Sequence, residues 1–284
     1  MSTVKVISVF ETSKQKVWEA ITNPEIMKIW YFDMSNFKLE IGNEFTFYEP
    51  YGNEFFHKCK VLSFEENKMF QHTWAHPQQS KGTSILTWNI EEIEVNKVKV
   101  SLIHEGLDSF ADGGDKFAAT NYEMGWNALI KTSLRNYLYN IQKLVFSVEI
   151  DAKANVVWNK LWNKNSYKQW VAPFCEGTYY TGEIKLGNRI HFISPSFDGM
   201  YCDVFYLDVN KNIIFKYIGK LKDLKEQPID AETEKWTGCF EAYKLNEING
   251  ITTVTAEMEC MEEYINYMKE KFPLALQELK KISE

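Results

Sequence analysis

Three histidines fall where strand alternation aims them at one interior. The run Phe56–Phe64 sets Lys58 and Lys60 toward water and His57, Cys59 and Val61 away from it. Phe70, His72 and Trp74 share a phase in Met69–Trp74, and Val98, Val100, Leu102 and His104 share one in Val98–His104. Phe45 and Phe47, with Leu86, Trp88 and Ile90, complete a mostly apolar lining whose polar contacts are His57, His72 and His104. Imidazoles in such a pocket orient a ligand, or act as acid or base near neutral pH. The plainer alternative is isolated core histidines satisfied by backbone or water. A three-histidine metal site would need ligand distances that phase alone does not supply, and neither a metal nor a cofactor is expected.

Other chemistry finds little support. The sequence holds no G-x-S-x-G, no phosphate-cradling glycine loop and no H-E-x-x-H. Asp108, Asp112 and Asp115 lack the spacing of a calcium loop and read as solvated. Glu257 and Glu259 share the outward phase of a strand, and Asp223–Glu234 reads as an exposed charged connector. The formal net charge is −7 and neither half is basic, which argues against nucleic-acid binding. The five cysteines lie far apart without a C-x-x-C, so reduced thiols in a cytoplasm are expected. Charges come too early for a secretory signal, and no apolar run approaches the ~20 residues of a membrane span.

The elements that must position the histidines are organised by one stretch. Tyr122–Asn140 reads as a single long helix, with Trp126, Leu129, Ile130, Leu134, Tyr137 and Leu138 at three- and four-residue spacing. Asn127, Lys131 and Arg135 fall on its other face. Before it come a strand at Val4–Glu11, a capping box at Thr12–Gln15, and a short helix burying Val17, Trp18 and Ile21. A second short helix runs from Asn23-Pro24 to Trp30, and closely spaced strands then predict an antiparallel meander. Leu107–Ala119 reads as a long loop whose Phe110 and Phe117 could lid a cavity. Small residues at the helix start (Ala118, Ala119, Gly125, Ala128) suggest room there.

The pattern then repeats. Val17-Trp18 recurs as Val157-Trp158, Asn23 as Asn163, Trp30 as Trp170, Ile41-Gly42-Asn43 as Leu186-Gly187-Asn188, and Pro50 as Pro195. Phe70 and His72 align with Phe215 and Tyr217, and Val98, Val100 and Leu102 with Thr252, Val254 and Ala256. Ordered matches with shifts confined to loops indicate a duplication. In this alignment His57, His72 and His104 face Cys202, Tyr217 and Met258, so any pocket chemistry differs between the halves.

The stretch F-x-x-S-x-x-x-V-W-x-A-I-T-N-P-E from Phe10 to Glu25, then Trp30, Ile41-Gly42 and Gly125-Trp126, resembles the AHSA1-like branch (activator of Hsp90 ATPase homologue) of the START/Bet v 1-like (SRPBCC) superfamily. The copy after residue 140 is fainter and lacks the Gly-Trp pair. The resemblance implies an α+β fold of two tandem helix-grip domains, residues 1–140 and 141–284. Each would be a curved antiparallel sheet wrapped on a long C-terminal helix. Function varies within the superfamily.

The expected function is binding of a small hydrophobic or aromatic molecule in a helix-grip cavity of the first domain. Trp30, Phe47, His57, His72, Trp74, Trp88, His104, Phe117 and Trp126 would surround it, with an enclosed cavity beside Trp126. Two alternatives follow from the resemblance. One is a partner of an Hsp90-type chaperone, although the N-x-N-N-W-H-W-type motif of the eukaryotic activators is not found in this sequence. The other is a cyclase- or hydrolase-like enzyme using the pocket histidines.

Overall fold

Ser13, rather than Thr12, starts the first helix. Its hydroxyl accepts from the Lys16 N–H at 3.2 Å and caps α1 (Lys14–Thr22), while Gln15 turns away to donate to Glu19 at 2.8 Å. Thr12 sits one residue too early to reach an unpaired N–H of the first turn. α1 buries Val17, Trp18 and Ile21. Asn23 then caps α2 (Pro24–Trp30) through the Glu25 N–H, and Pro24 falls where a helix has no use for an N–H. Replacing Ser13 with Ala is expected to cost about 1 kcal/mol, read as a lower urea midpoint of the first unit.

In this computed structural model residues 2–49 and 54–284 are described, so Pro50 and its match to Pro195 lie outside the described residues. The chain divides into two units, Met1–Tyr139 and Asn140–Glu284. The first unit is an antiparallel sheet in the order β1-β6-β5-β4-β3-β2. The strands are β1 (Thr3–Phe10), β2 (Glu44–Tyr48), β3 (Phe56–Glu65), β4 (Met69–Ala75), β5 (Thr83–Glu94) and β6 (Lys97–Glu105). A bulge between Val61 and Ser63 bends β3 and helps the sheet curl. The side chains assigned inward by alternation, from Phe45 and Phe47 through His57, Cys59 and Val61 to His104, are all buried.

The helix that the sheet grips is continuous from Ala119 to Leu138 but not uniform. It runs as α3 (Ala119–Ala128), a π segment (Leu129–Leu134) and α4 (Arg135–Leu138). Each π turn takes an extra residue and rotates the faces that follow. This explains why Arg135, expected on the solvent face with Lys131, is buried with its guanidinium on Asn136. Ala118, Gly125 and Ala128 are exposed. The buried face is set by Trp126, Ile130, Leu134 and Leu138, while Ala118 and Ala119 line, with Phe110 and Phe117, a space of about 300 Å³ at the helix start. Leu107–Gly113 and Asp115–Phe117 are 3-10 turns rather than open loop. Asp108 and Asp112 there accept from backbone N–H groups of Ser2 and Lys81, which holds both carboxyls below their usual range.

The second unit repeats the order of elements. β7 (Gln142–Ile150) leads to α5 (Ala154–Trp162) and α6 (Lys164–Trp170). The strands β8 (Tyr179–Thr181), β9 (Arg189–Ile193), β10 (Gly199–Asp208), β11 (Asn212–Lys222), β13 (Phe240–Ile248) and β14 (Ile251–Cys260) follow. They pair as β7-β14-β13-β11-β10-β9-β8, and the unbroken helix α8 (Glu262–Ser283) ends the chain. Local bonds recur with the sequence. Trp30 donates to Ala20 O and Trp170 to Leu161 O, and Asn163 caps α6 as Asn23 caps α2. Gly42 and Gly187 both adopt positive φ, where a side chain would strain the turn. Between β11 and β13 the second unit adds β12 (Lys225–Glu226) and α7 (Ala231–Trp236). The charged connector expected there is therefore partly helical, with Asp230 capping α7 through the Thr233 N–H. Among the described residues no helix is long and apolar enough to cross a membrane.

Candidate functional site

In the first unit the expected site residues come together and fill the space assigned to a ligand. The Trp126 ring centroid lies 5.2 Å from Trp74, 5.7 Å from His104, 6.3 Å from Tyr31 and 6.4 Å from Trp88. Trp30 meets Trp88 edge-on at 6.2 Å, and Phe47 stacks on His57 at 4.4 Å. Beside Trp126, where an enclosed cavity is expected, these rings meet at packing distances. Phe110 and Phe117 lie 5.2 and 4.9 Å from a fourth buried histidine, His76, and belong to the core. Extending the phase of Phe70, His72 and Trp74 by one more step would have found His76.

These histidines are held neutral. The Trp126 indole N–H donates to His104 Nδ1 at 3.1 Å, so that nitrogen carries no proton. His104 Nε2–H then donates to Ser84 Oγ at 2.7 Å, and Ser84 reaches the Trp74 carbonyl at 3.3 Å. The Trp74 indole donates to His76 Nε2 at 3.0 Å, and the Tyr122 hydroxyl lies 2.8 Å from the same nitrogen. His72 Nδ1 bonds the Thr73 carbonyl at 2.9 Å while its Nε2 has no partner; His57 Nδ1 and His76 Nδ1 also lack one. Burial, with His76 next in effect, pushes the His57 pKa down to about 3; burial, then the other three histidines, does the same to His104. Burial alone lowers His76 to about 4 and is the main cause of the same value at His72. Among the described residues no group of three or more His, Cys, Asp or Glu is arranged to hold a metal.

The second unit differs in kind. A cavity of about 500 Å³ lies within it, with walls that include Trp162, Tyr167, Trp170, Phe192, Met258 and Phe272. Backbone register says what changed. Val61 bonds Gly42 and Asn43 just as Val204 bonds Gly187 and Asn188, and the β-turn residues Asn67 and Asn210 share a positive φ. With Val61 against Val204, Cys59 falls on Cys202 and His57 on Met200. Val61 pairs with His72 and Val204 with Phe215, so His72 answers to Phe215 and Trp74 to Tyr217. The sequence alignment, which put Tyr217 against His72 and Cys202 against His57, is corrected by two residues. His104 does answer to Met258: it pairs with Val4 and Leu86, and Met258 pairs with Leu144 and Glu241. Leu86 therefore becomes Glu241 and Trp88 becomes Tyr243. Two tryptophans are thus reduced to tyrosines around a carboxylate, which removes ring volume from the interior.

That carboxylate is the polar centre of the cavity. The hydroxyls of Tyr217 and Tyr243 each donate to one oxygen of Glu241. Burial raises the Glu241 pKa, and the two tyrosine bonds oppose the rise. Burial holds both tyrosines protonated, first among several causes, and so keeps them donors. Glu241 keeps some accessible surface and is one of the residues lining the cavity. The added connector contributes Glu232 and Trp236 to the lining. It is tied to β11 by Gly238 N–H to Tyr217 O at 2.8 Å and by Lys220 to Glu232 at 2.5 Å. Glu259, expected to face water, also lines the cavity, whereas Glu257 sits outside between Lys143 and Lys244. The Trp162 indole N–H is buried beside the cavity with no partner. Glu241 escaped the sequence reading because β13 had no assigned phase; its alternation with Tyr243 and Leu245 was the available signal.

Comparison with known proteins places the first unit. The model of the family described as "Activator of Hsp90 ATPase homolog 1-like protein" matches residues 11–139. No curated protein matches the chain. Among solved structures, a Bacillus halodurans protein, BH1534, is 24% identical over 49% of this chain and 97% of its own, with a TM-score of 0.40. The Aha1 dimer of Colwellia psychrerythraea is 20% identical over 50% of this chain and 96% of its own, at 0.39. The di-domain ARO/CYC protein BexL of the BE-7585A biosynthetic pathway is 10% identical over 100% of this chain and 99% of its own, at 0.40. Residues 11–139 match the AHSA1-like family model, and the chain sets that domain ahead of a second unit of the same helix-grip order.

Proposed function

We propose that the protein binds a small, largely apolar or aromatic molecule, and that the cavity of the second unit receives it. The observation that carries this reading is the roughly 500 Å³ space walled by aromatic and methionine side chains around Glu241, a size and lining suited to a small organic ligand. Removing apolar ligand surface from water would drive binding at roughly 25 cal/mol per Å², before the costs of association. The first unit, a diverged sister of the second by duplication, supplies a packed histidine-bearing core. The free cysteines of both units suit a reducing compartment such as the cytoplasm.

The test is Nile red, a neutral apolar dye whose emission rises in a dry site. The full chain should enhance it. Met258→Trp, which puts an indole into the cavity, should abolish the enhancement, while Ala128→Trp on the exposed face of α3 should leave it intact. Equal enhancement in all three proteins would overturn the reading. The property in the family's name gives a second reading, tested by an Hsp90 ATPase assay in which stimulation by this protein would favour a chaperone partner for the first unit.

A further inference from the structure

The cavity of the second unit carries a charge pattern that its apolar walls do not require. Four carboxylates line it, Glu232, Glu241, Glu259 and Glu263, against one lysine, Lys220. That lysine is already engaged by Glu232 at 2.5 Å and by Asp230 at 3.9 Å. Glu241 accepts one tyrosine hydroxyl on each oxygen, which leaves a second lone pair on each for a ligand. The nearby rings reinforce the same sign. Tyr243 lies edge-on to Trp162 at 5.2 Å, and Trp162 stacks beside Tyr167 at 6.4 Å. Aromatic faces are electron-rich and attract cations while repelling anions. The fold does not demand any of this, since the equivalent positions of the first unit hold Leu86, Trp74 and Trp88.

We infer that the second-unit cavity recognises an organic ammonium ion, an amine joined to an aromatic body, with its nitrogen against Glu241 and its body among the aromatic walls. This rests on reading the cavity as the ligand site and adds the charge of the ligand. The Tyr217 and Tyr243 hydroxyls oppose the rise that burial imposes on the Glu241 pKa, and an incoming ammonium would favour the charged form further and complete its partners. Glu232, Glu259, Glu263 and Lys220 also line the cavity, and the titratable groups acting directly on Glu241 are Tyr167, Tyr217, Tyr243 and Cys202. Burial, the first cause in each case, keeps all four neutral at neutral pH. Glu241 is therefore the group among them whose charge changes as pH rises from acid to neutral.

The experiment is calorimetric titration of the full chain with naphthylmethylamine and with its neutral counterpart naphthalenemethanol. The amine should bind at least about tenfold more tightly than the alcohol. Glu241→Gln should erase that preference and leave alcohol binding in place. In the unaltered protein, amine affinity should rise as pH rises through the raised pKa of Glu241 while alcohol affinity stays flat, a readout that stands even if the variant fails to fold. Equal binding of the two probes, or a preference that survives Glu241→Gln, overturns the inference and leaves the ligand site intact. Binding of neither probe, together with no Nile red enhancement, overturns both.

Discussion

Acidification from neutral pH to about pH 5 should unfold the first unit while the second stays folded. His57, His72, His76 and His104 are buried and neutral, with pKa values near 3 to 4 in the fold against 6.5 in the unfolded chain. The unfolded chain therefore binds more protons below pH 6.5, and stability falls through the window from about 6.5 down to the folded values. By pH 5 each histidine withdraws roughly 2 kcal/mol. Four together approach the whole stability of a small domain, about 5–15 kcal/mol. The geometry explains why protonation cannot be absorbed. A proton on His104 Nδ1 would face the Trp126 N–H, and His57 and His76, 4.4 Å apart, would become like charges. In the second unit Glu241 has a raised pKa, so its contribution is fully present below about 4.5 and is lost as pH rises. The two units therefore respond to pH with opposite signs. Urea titrations of the full chain followed by residue-resolved NMR at several pH values would measure this. His72→Phe, which installs the residue found at the equivalent Phe215, should move the acid transition of the first unit to lower pH. Midpoints that fall in parallel for both units would contradict the account.

The sequence made this core readable and hid the cavity for the same physical reason. Alternation along a strand reports which side chains share a face, and it placed His57, His72 and His104 inside because β3, β4 and β6 are regular where those residues sit. It does not report whether facing side chains fill the space between them. Trp126 and Trp74 do fill it, and only coordinates reveal that. Register was the second blind spot. Bulges near Val61 and Val204 break the strand count, so an alignment by residue type slid β11 by two positions and concealed the exchange of Leu86 for Glu241. The π segment after Ala128 acted in the same way on the helix, rotating Arg135 into the interior. The capping, turn and tryptophan signals that announced the duplication are local, and they survived intact: Asn23 with Asn163, and Gly42 with Gly187.

Removing both tyrosine hydroxyls from Glu241 should be the most damaging change in the second unit, and removing the carboxylate as well should undo most of the damage. In Tyr217→Phe/Tyr243→Phe the carboxylate stays buried without the two donors that favour its charged form. A hydrogen bond to a charged group is worth about 1.5–3 kcal/mol, so the double substitution should cost about 3–5 kcal/mol at neutral pH. The sign of the pH dependence follows. Losing the donors raises the Glu241 pKa further, so the cost is largest where the unfolded carboxyl is ionised and shrinks as pH falls toward about 4.5. Adding Glu241→Leu to the pair replaces the stranded charge with the side chain that the first unit carries at Leu86, and stability should recover with no remaining slope from this site. Glu241→Leu alone should be worse than the triple variant, because it strands two buried hydroxyls. This non-additivity is what separates a built polar centre from three independently tolerated polar residues, whose effects would simply sum. Urea midpoints of the second unit for the single, double and triple variants at two pH values would decide between them.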